Sequence, residues 1–107
     1  MSLDFYLMET RPVDVFWRNT THNHGKHAEA VGVYTHLWHP NELGITKAHQ
    51  LIEPLSEAAR KLRANPEQYR QYDAKNGWGT VEHFTEFVEG VLQACIDHPD
   101  ADIAVST

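Results

Sequence analysis

The residues best suited to chemistry lie in one polar run, residues 19–30, which combines amide, hydroxyl and imidazole groups. Residues 13–18 before it alternate in the manner of a strand, so the run is predicted to lie where a strand leads into a helix. The first turn of a helix has backbone N–H groups without intrahelical partners and the positive end of the macrodipole, and both favour a carboxylate or phosphate. The same pattern is typical of a plain helix start, in which Thr21 or Asn23 caps the helix and binds nothing.

The candidate ligand-binding residues are polar groups of this run together with aromatic side chains that could stack on a flat ligand. A nucleotide or related metabolite needs an aromatic face, donors for its phosphate, and amides that recognise the edge of a base. These requirements lead to the predicted ligand-binding residues Asn19, Thr21, His22, Asn23, Trp38 and Trp78. For each tryptophan the competing interpretation is that it fills the core of a small domain.

Metal binding and catalysis are the other chemistries that these residue types suggest. Two histidines three residues apart, such as His24 and His27, can share Zn, Ni or Cu. The histidine spacing matches no metal-protease helix, so we predict no metal and no cofactor. A hydrolase or transferase would need an acid–base pair such as His22 with Glu29 or Asp14. Because the chain has no Gly-x-Ser-x-Gly motif and no phosphate-cradling Gly-rich loop with Lys, we predict no catalytic residues and favour binding without turnover.

Composition limits the class of protein. A chain of 107 residues predicts a single domain, residues 1–107, with one core. The formal charge of -6, from 9 Lys+Arg against 15 Asp+Glu, disfavours nucleic acid as a partner. The lone Cys95 lies among apolar residues, which predicts a core thiol in a reducing cytosol. With an acid near the N-terminus and no long apolar run, we expect a cytoplasmic protein with no membrane partner.

The elements that must position the polar run are predicted to form an α+β fold. Alternation over residues 2–9 and 13–18 predicts an antiparallel hairpin, and Ile103 with Val105 predicts a final strand. Both termini and residues 13–18 therefore form one small antiparallel sheet, packed against several helices. Helices are predicted over 23–31, 48–62 with a kink or two in-line pieces at Pro54, and 65–72. Residues 33–38 fit either a strand or a helical turn, and the spacing of their apolar residues favours a turn or two of helix. The longest regular helix follows Thr80 and is expected to be the main core helix.

Several motifs resemble those of a group of small acidic proteins encoded by bacteriophages and prophages. The matching segments are residues 1–7 (MSLDFYL), 21–23 (THN), 37–42 (LWHPNE), 44–48 (GITKA), 76–80 (NGWGT) and 99–103 (PDADI). The resemblance covers nearly the whole chain and implies a phage or prophage origin and a bacterial host cell, while the group has no established activity. In that group the segment typically resembles Thr-His-Asn-Leu-Gly-Lys-Met, so His24 and His27 stand where apolar residues are usual.

The functional hypothesis that follows is a phage-encoded accessory protein that does not act as an enzyme. It would sequester a small anionic, nucleotide-derived host defence signal, and a homo-oligomer could help to enclose that ligand. One alternative is a protein–protein inhibitor of a host factor, which predicts an exposed apolar patch around Tyr69 and Tyr72 or the Trp38 turn. Another is a small metal-dependent enzyme with a histidine site.

Overall fold

The computed structural model describes residues 2–9, 14–77 and 79–107, with only the backbone of Asp14 and Val15. Its strands are β1 (Ser2–Met8), β2 (Asp14–Thr21) and β3 (Asp102–Ser106). Its α-helices are α1 (Gly25–Ala30), α2 (Tyr34–Trp38), α3 (Ile52–Ala64), α4 (Pro66–Arg70) and α5 (Val81–Asp97). Turns of 3₁₀ helix lie at His22–His24, Pro40–Leu43 and Ala48–Leu51. The α+β prediction is confirmed.

Within the described residues the sheet has the strand order β2-β1-β3, and both pairings are antiparallel. The outer side of β3 meets residues 46–48, since the Ile103 amide donates to the Thr46 carbonyl at 2.9 Å and Lys47 forms an isolated bridge to Asp102. Strand β2 lies at the opposite edge. The predicted sheet from the two chain ends and residues 13–18 is therefore present, although Val13 lies outside the described residues.

The face of the sheet that packs on the helices carries polar as well as apolar side chains. Leu3, Phe5 and Leu7 of β1 are fully buried. Their partners across the hairpin are Thr20, Arg18 and Phe16, and directly opposed residues of an antiparallel pair share a face. Strand β2 therefore presents a hydroxyl and a guanidinium to the helix layer.

Helix α5 is the main core helix, as predicted. Thr80 caps it, because the Thr80 Oγ1 atom accepts a hydrogen bond from the His83 amide at 3.3 Å. Its apolar positions fall at helical spacing and are buried, among them Phe84, Phe87, Val88, Val91 and Cys95. Burial raises the pKa of the Cys95 thiol to about 12, so this cysteine is an unreactive core thiol at neutral pH.

Pro54 is accommodated without an interruption of α3. The 3₁₀ turn Ala48–Leu51 runs directly into α3, so the boundary between two in-line helical pieces lies at Leu51–Ile52 and not at Pro54, where the kink or break was predicted. Pro54 occupies the third position of α3, within the first turn, where a backbone N–H has no intrahelical acceptor to lose. Among the described residues no helix combines the length and the apolar character required to cross a bilayer.

Candidate functional site

The two motifs that the sequence singled out, residues 21–23 and residues 76–80, pack against each other. Gly79 lies so close to the Thr21–His24 turn that a Cβ atom built on it would be 2.9 Å from the Asn23 Cβ atom and 3.3 Å from the Thr21 Cγ2 atom. Its φ of +122° also lies in the region that side chains other than glycine rarely adopt. Glycine is therefore required at position 79 both by its backbone conformation and by the space available.

Thr21 caps the 3₁₀ turn His22–His24. The Thr21 Oγ1 atom accepts a hydrogen bond from the Asn23 amide at 3.3 Å. Helix α1 then runs for only six residues. The capping interpretation that the sequence left open therefore holds for Thr21, and a helix this short contributes little dipole to a ligand.

A buried hydrogen-bonded pair, Thr20 and His24, ties β2 to the start of α5. The His24 Nε2 atom lies 3.1 Å from the Thr80 carbonyl, which can only accept, so Nε2 carries the proton. The His24 Nδ1 atom lies 2.5 Å from the Thr20 hydroxyl. Desolvation, followed by the charge of His27, lowers the His24 pKa to about 4. His24 is thus neutral at pH 7, and Thr20 donates to Nδ1.

A second buried histidine, His27, connects α1 to the segment before α5. The His27 Nε2 atom donates to the Asp73 Oδ1 atom at 2.8 Å, and the same carboxylate oxygen accepts from the Val81 amide at 2.9 Å. The His27 ring is fully buried and its centroid lies 5.4 Å from that of His24. Asp73 therefore joins three elements through one oxygen atom.

Beside these two ties is an open groove of about 630 Å³, which we call the main groove. It lies between β2, the loop before α5 and the first half of α5, so both singled-out motifs contribute to it. The described residues that line it are Arg18, Asn19, Thr20, Thr21, His24, Gly77, Gly79, His83, Glu86 and Phe87.

Arg18 is the cation of this groove. Its guanidinium carbon lies 5.4 Å from the centroid of the Phe16 ring. Its Nη2 atom would be 3.5 Å from a Cβ atom built on Gly90, so the guanidinium rests directly against α5. Among the side chains that the structure describes, no carboxylate lies within 4.0 Å of the Arg18 nitrogen atoms, whereas Arg60, Arg63 and Arg70 each pair with a glutamate.

Only some of the predicted ligand-binding residues line the main groove. Asn19 and Thr21 line the main groove, whereas His22 and Asn23 lie on the adjacent turn and are not part of the described lining. Trp38 is 5% exposed and stacks on Tyr34 with ring centroids 5.1 Å apart, away from the groove. Trp78 lies outside the described residues.

Asn19 is held in a fixed orientation. Its Nδ2 atom donates to the Asp4 Oδ1 atom at 2.7 Å and contacts the Leu3 carbonyl at 3.3 Å. Because both contacts are made by Nδ2, the nitrogen side of the Asn19 amide faces β1.

Sequence reasoning missed several groove residues, chiefly Arg18, Thr20, His83 and Glu86. The signal for the first two was available, because they alternate with residues 17 and 19 on a strand, and a polar residue opposite a buried one faces the same layer. His83 and Glu86 lie three residues apart on α5, which the sequence treated only as a core helix. On α5 these two polar side chains lie beside the stripe of buried apolar side chains, and they line the main groove.

Two arrangements near the main groove resemble chemical sites, a hydroxyl–imidazole pair and a pair of histidines. A hydroxyl directed at a neutral imidazole resembles half of a nucleophilic pair, but Thr20 and His24 are 5% and 3% exposed. Among the described residues, no group of three or more His, Cys, Asp or Glu side chains is arranged to hold a metal ion. His24 and His27, the pair that could have shared a metal, instead bond to Thr20, Thr80 and Asp73.

Comparison with known proteins gave no assignment: the chain matches no protein-family model, no curated protein and no solved structure at a significant level. Functional conclusions therefore rest on the geometry of the described residues.

Proposed function

We propose that the protein binds a small anionic ligand in the main groove, without turnover, and that Arg18 is its anchor. The observation that carries this proposal is the Arg18 guanidinium, which pairs with no carboxylate among the described side chains and lines a groove of about 630 Å³. Arginine matches carboxylate and phosphate geometry and is bound more strongly by them than by neutral acceptors. A groove of this size is within the range that small-molecule ligands occupy.

The arginine is also held ready for a ligand. Contact with the Phe16 ring and with the bare backbone of Gly90 restricts its guanidinium before any ligand arrives. A preorganised side chain loses less conformational entropy on binding, so more of the charge interaction contributes to affinity. In a chain of net charge -6, a groove cation that pairs with none of the described carboxylates gives an anion a defined place to bind.

The biological part of the proposal is that the ligand is a nucleotide-derived host defence signal, sequestered in the bacterial cytoplasm by a phage-encoded accessory protein. The resemblance of residues 21–23 and 76–80 to phage proteins supports this origin, and the contact between those two motifs at the groove supports a shared role. Because the groove is open, a second copy of the chain could enclose the ligand.

The test is a thermal-shift screen against cyclic dinucleotides, ADP-ribose derivatives and common nucleotides. A ligand at about 100 times its Kd stabilises by about 2.7 kcal/mol, which corresponds to a rise in Tm of about 10 °C for a domain of this size. Arg18→Gln should weaken binding roughly 10-fold to 100-fold, since it removes a charged hydrogen bond of about 1.5–3 kcal/mol.

The matched control is Arg60→Gln, which removes an arginine that pairs with Glu57 on the exposed face of α3. It should leave ligand binding unchanged. The proposal is wrong if no compound of these classes shifts the Tm, or if both variants bind a ligand as tightly as the parent protein.

The alternative of a protein–protein inhibitor predicted an exposed apolar patch near Tyr69 and Tyr72 or near Trp38. Tyr69 and Trp38 are only 6% and 5% exposed, so they offer little surface to a partner. Among the described residues the large exposed apolar side chains are Trp17, Leu43 and Ile96. A partner protein that binds this chain would have to use those positions.

A further inference from the structure

A second cavity lies on the other side of Arg18. It has a volume of about 360 Å³, and we call it the side cavity. Arg18 lines both the main groove and the side cavity, so the two cavities adjoin at its side chain, and we call the two together the channel. The other described residues of the side cavity are Phe16, Gly90, Gln93, Ala94, Asp97 and His98.

The channel follows one stripe of α5. His83, Glu86 and Phe87 line the main groove, Gly90 lies at the level of Arg18, and Asp97 lines the far end of the side cavity. His83, Phe87, Gly90 and Asp97 are separated by four, three and seven residues, which keeps them on one face of the helix, and Glu86 borders that face. The 14 residues from the first to the last rise about 21 Å along the helix axis.

The two ends of the channel contain the same kinds of groups. The main groove has the exposed imidazole of His83 and the carboxylate of Glu86, whereas the phenyl ring of Phe87 is only 5% exposed. The side cavity has the imidazole of His98 and the carboxylate of Asp97, together with the phenyl ring of Phe16. Arg18 therefore has, on each side, an imidazole ring to pack on and a carboxylate acceptor.

The charges at the ends restrict what each end can hold. A carboxylate repels a terminal phosphate but accepts hydrogen bonds from hydroxyl and amino groups. At the side cavity, His98 contacts Glu9 at 3.2 Å, which brings a second carboxylate, besides Asp97, to a lining residue. The anionic part of a ligand is favoured at Arg18 and disfavoured at this end.

We infer that the ligand is a two-armed molecule, with a phosphodiester or pyrophosphate linker at Arg18 and one nucleoside-like arm in each cavity. This inference rests on the proposed function and narrows its ligand class from nucleotides in general to dinucleotide-like compounds. The arms pack on the imidazole rings of His83 and His98 and donate hydrogen bonds to Glu86 and Asp97. A mononucleotide fills one side of the channel only.

The test compares affinities by isothermal titration calorimetry, with ADP-ribose and cyclic di-AMP as two-armed probes and AMP as the one-armed probe. At least one two-armed probe should bind at least about tenfold more tightly than AMP, the factor that corresponds to about 1.4 kcal/mol of additional contact. His98→Ala should weaken binding of that probe severalfold and leave AMP binding unchanged.

Gly90 provides a pair of variants at the centre of the channel. A Cβ atom built on Gly90 makes only an ordinary van der Waals contact with Arg18. Surface substitutions of this kind usually change free energies very little, so Gly90→Ala should bind the two-armed probe with a Kd within about twofold of the parent value. Gly90→Leu extends into the guanidinium and should weaken the two-armed probe at least about tenfold. A thermal melt of each variant shows that it is folded.

The outcomes separate the two ideas. If AMP binds as tightly as both two-armed probes and His98→Ala has no effect on any probe, the two-armed ligand is wrong, while loss of AMP binding in Arg18→Gln would uphold the proposed function. If none of the three probes binds, the two-armed ligand is wrong, and the proposed function is also wrong if the thermal-shift screen finds no ligand.

Discussion

Replacement of Gly79 by alanine tests the contact between the two motifs at the main groove. The new Cβ atom would lie 2.9 Å from the Asn23 Cβ atom and 3.4 Å from the His24 Cδ2 atom. The first distance is shorter than real Cβ contacts, and the neighbouring atoms belong to a capped turn, so the loop has to move away. Thr80, which follows Gly79, accepts the His24 hydrogen bond through its carbonyl, so a displaced loop also strains that bond.

The magnitude can be estimated from two contributions. A residue with a side chain in a sparsely populated backbone region costs about 1–3 kcal/mol. The steric conflict with Asn23 adds a cost of the kind seen for overpacking, about 1–3 kcal/mol. The expected loss in the free energy of unfolding is therefore about 2–6 kcal/mol, which lowers the Tm by roughly 10–25 °C for a domain of this size.

The matched control is Gly77→Ala in the same loop. Gly77 also has a positive φ, +78°, but nothing lies within 4 Å of a Cβ atom built there. It should lose only the backbone contribution, about 1–2 kcal/mol. Thermal and denaturant unfolding followed by circular dichroism measures both variants. Equal losses for the two variants would show that Gly79 is not packed against the Thr21–His24 turn.

Three further predictions concern the buried ties and the acid stability. The His24 pKa of about 4 in the folded protein lies below its value near 6.5 in the unfolded chain, so the unfolded state binds more protons between these values. Stability should therefore fall as the pH drops from about 6.5 to 4, by about 3 kcal/mol from this residue, and denaturant titrations of His24→Gln should show a flatter dependence. Asp73→Ala leaves both His27 and the Val81 amide without their acceptor, so its denaturant midpoint should reflect a loss of about 2–4 kcal/mol. Asp73→Asn keeps an oxygen acceptor and should lose less stability than Asp73→Ala in the same titration. An equal loss of stability in the two variants would show that the hydrogen bonds to this oxygen do not matter.

The fold was predictable from the sequence because its elements follow local rules. Helix α5 combines an apolar stripe at helical spacing with a Thr80 cap, and both signals are local. The hairpin was visible from the alternation of residues 2–9. The 3₁₀ turn before α3 leaves Pro54 in a first turn, where local sequence alone allowed either a kink or two pieces.

The site was less predictable because its key contacts join residues far apart in the chain. The polar run at 19–30 was found, yet His24 bonds to Thr80 and His27 to Asp73 across 56 and 46 positions. Which groups of a polar run face a groove depends on strand register, and the hairpin pairs Arg18 with Phe5. Trp38 shows the opposite error, since a stacking surface and a core aromatic have the same sequence signal.

The central claim is that a ligand occupies the channel beside β2 and α5, and amide chemical-shift mapping tests it most directly. Uniformly ¹⁵N-labelled protein would be titrated with the probe that gives the largest thermal shift. The largest changes should fall on the amides of Asn19, Thr21, Gly77, Gly79 and His83, and Arg18→Gln should reduce them. Changes confined to the separate cavity lined by His36 and His49, or no changes at saturating probe, would contradict the account.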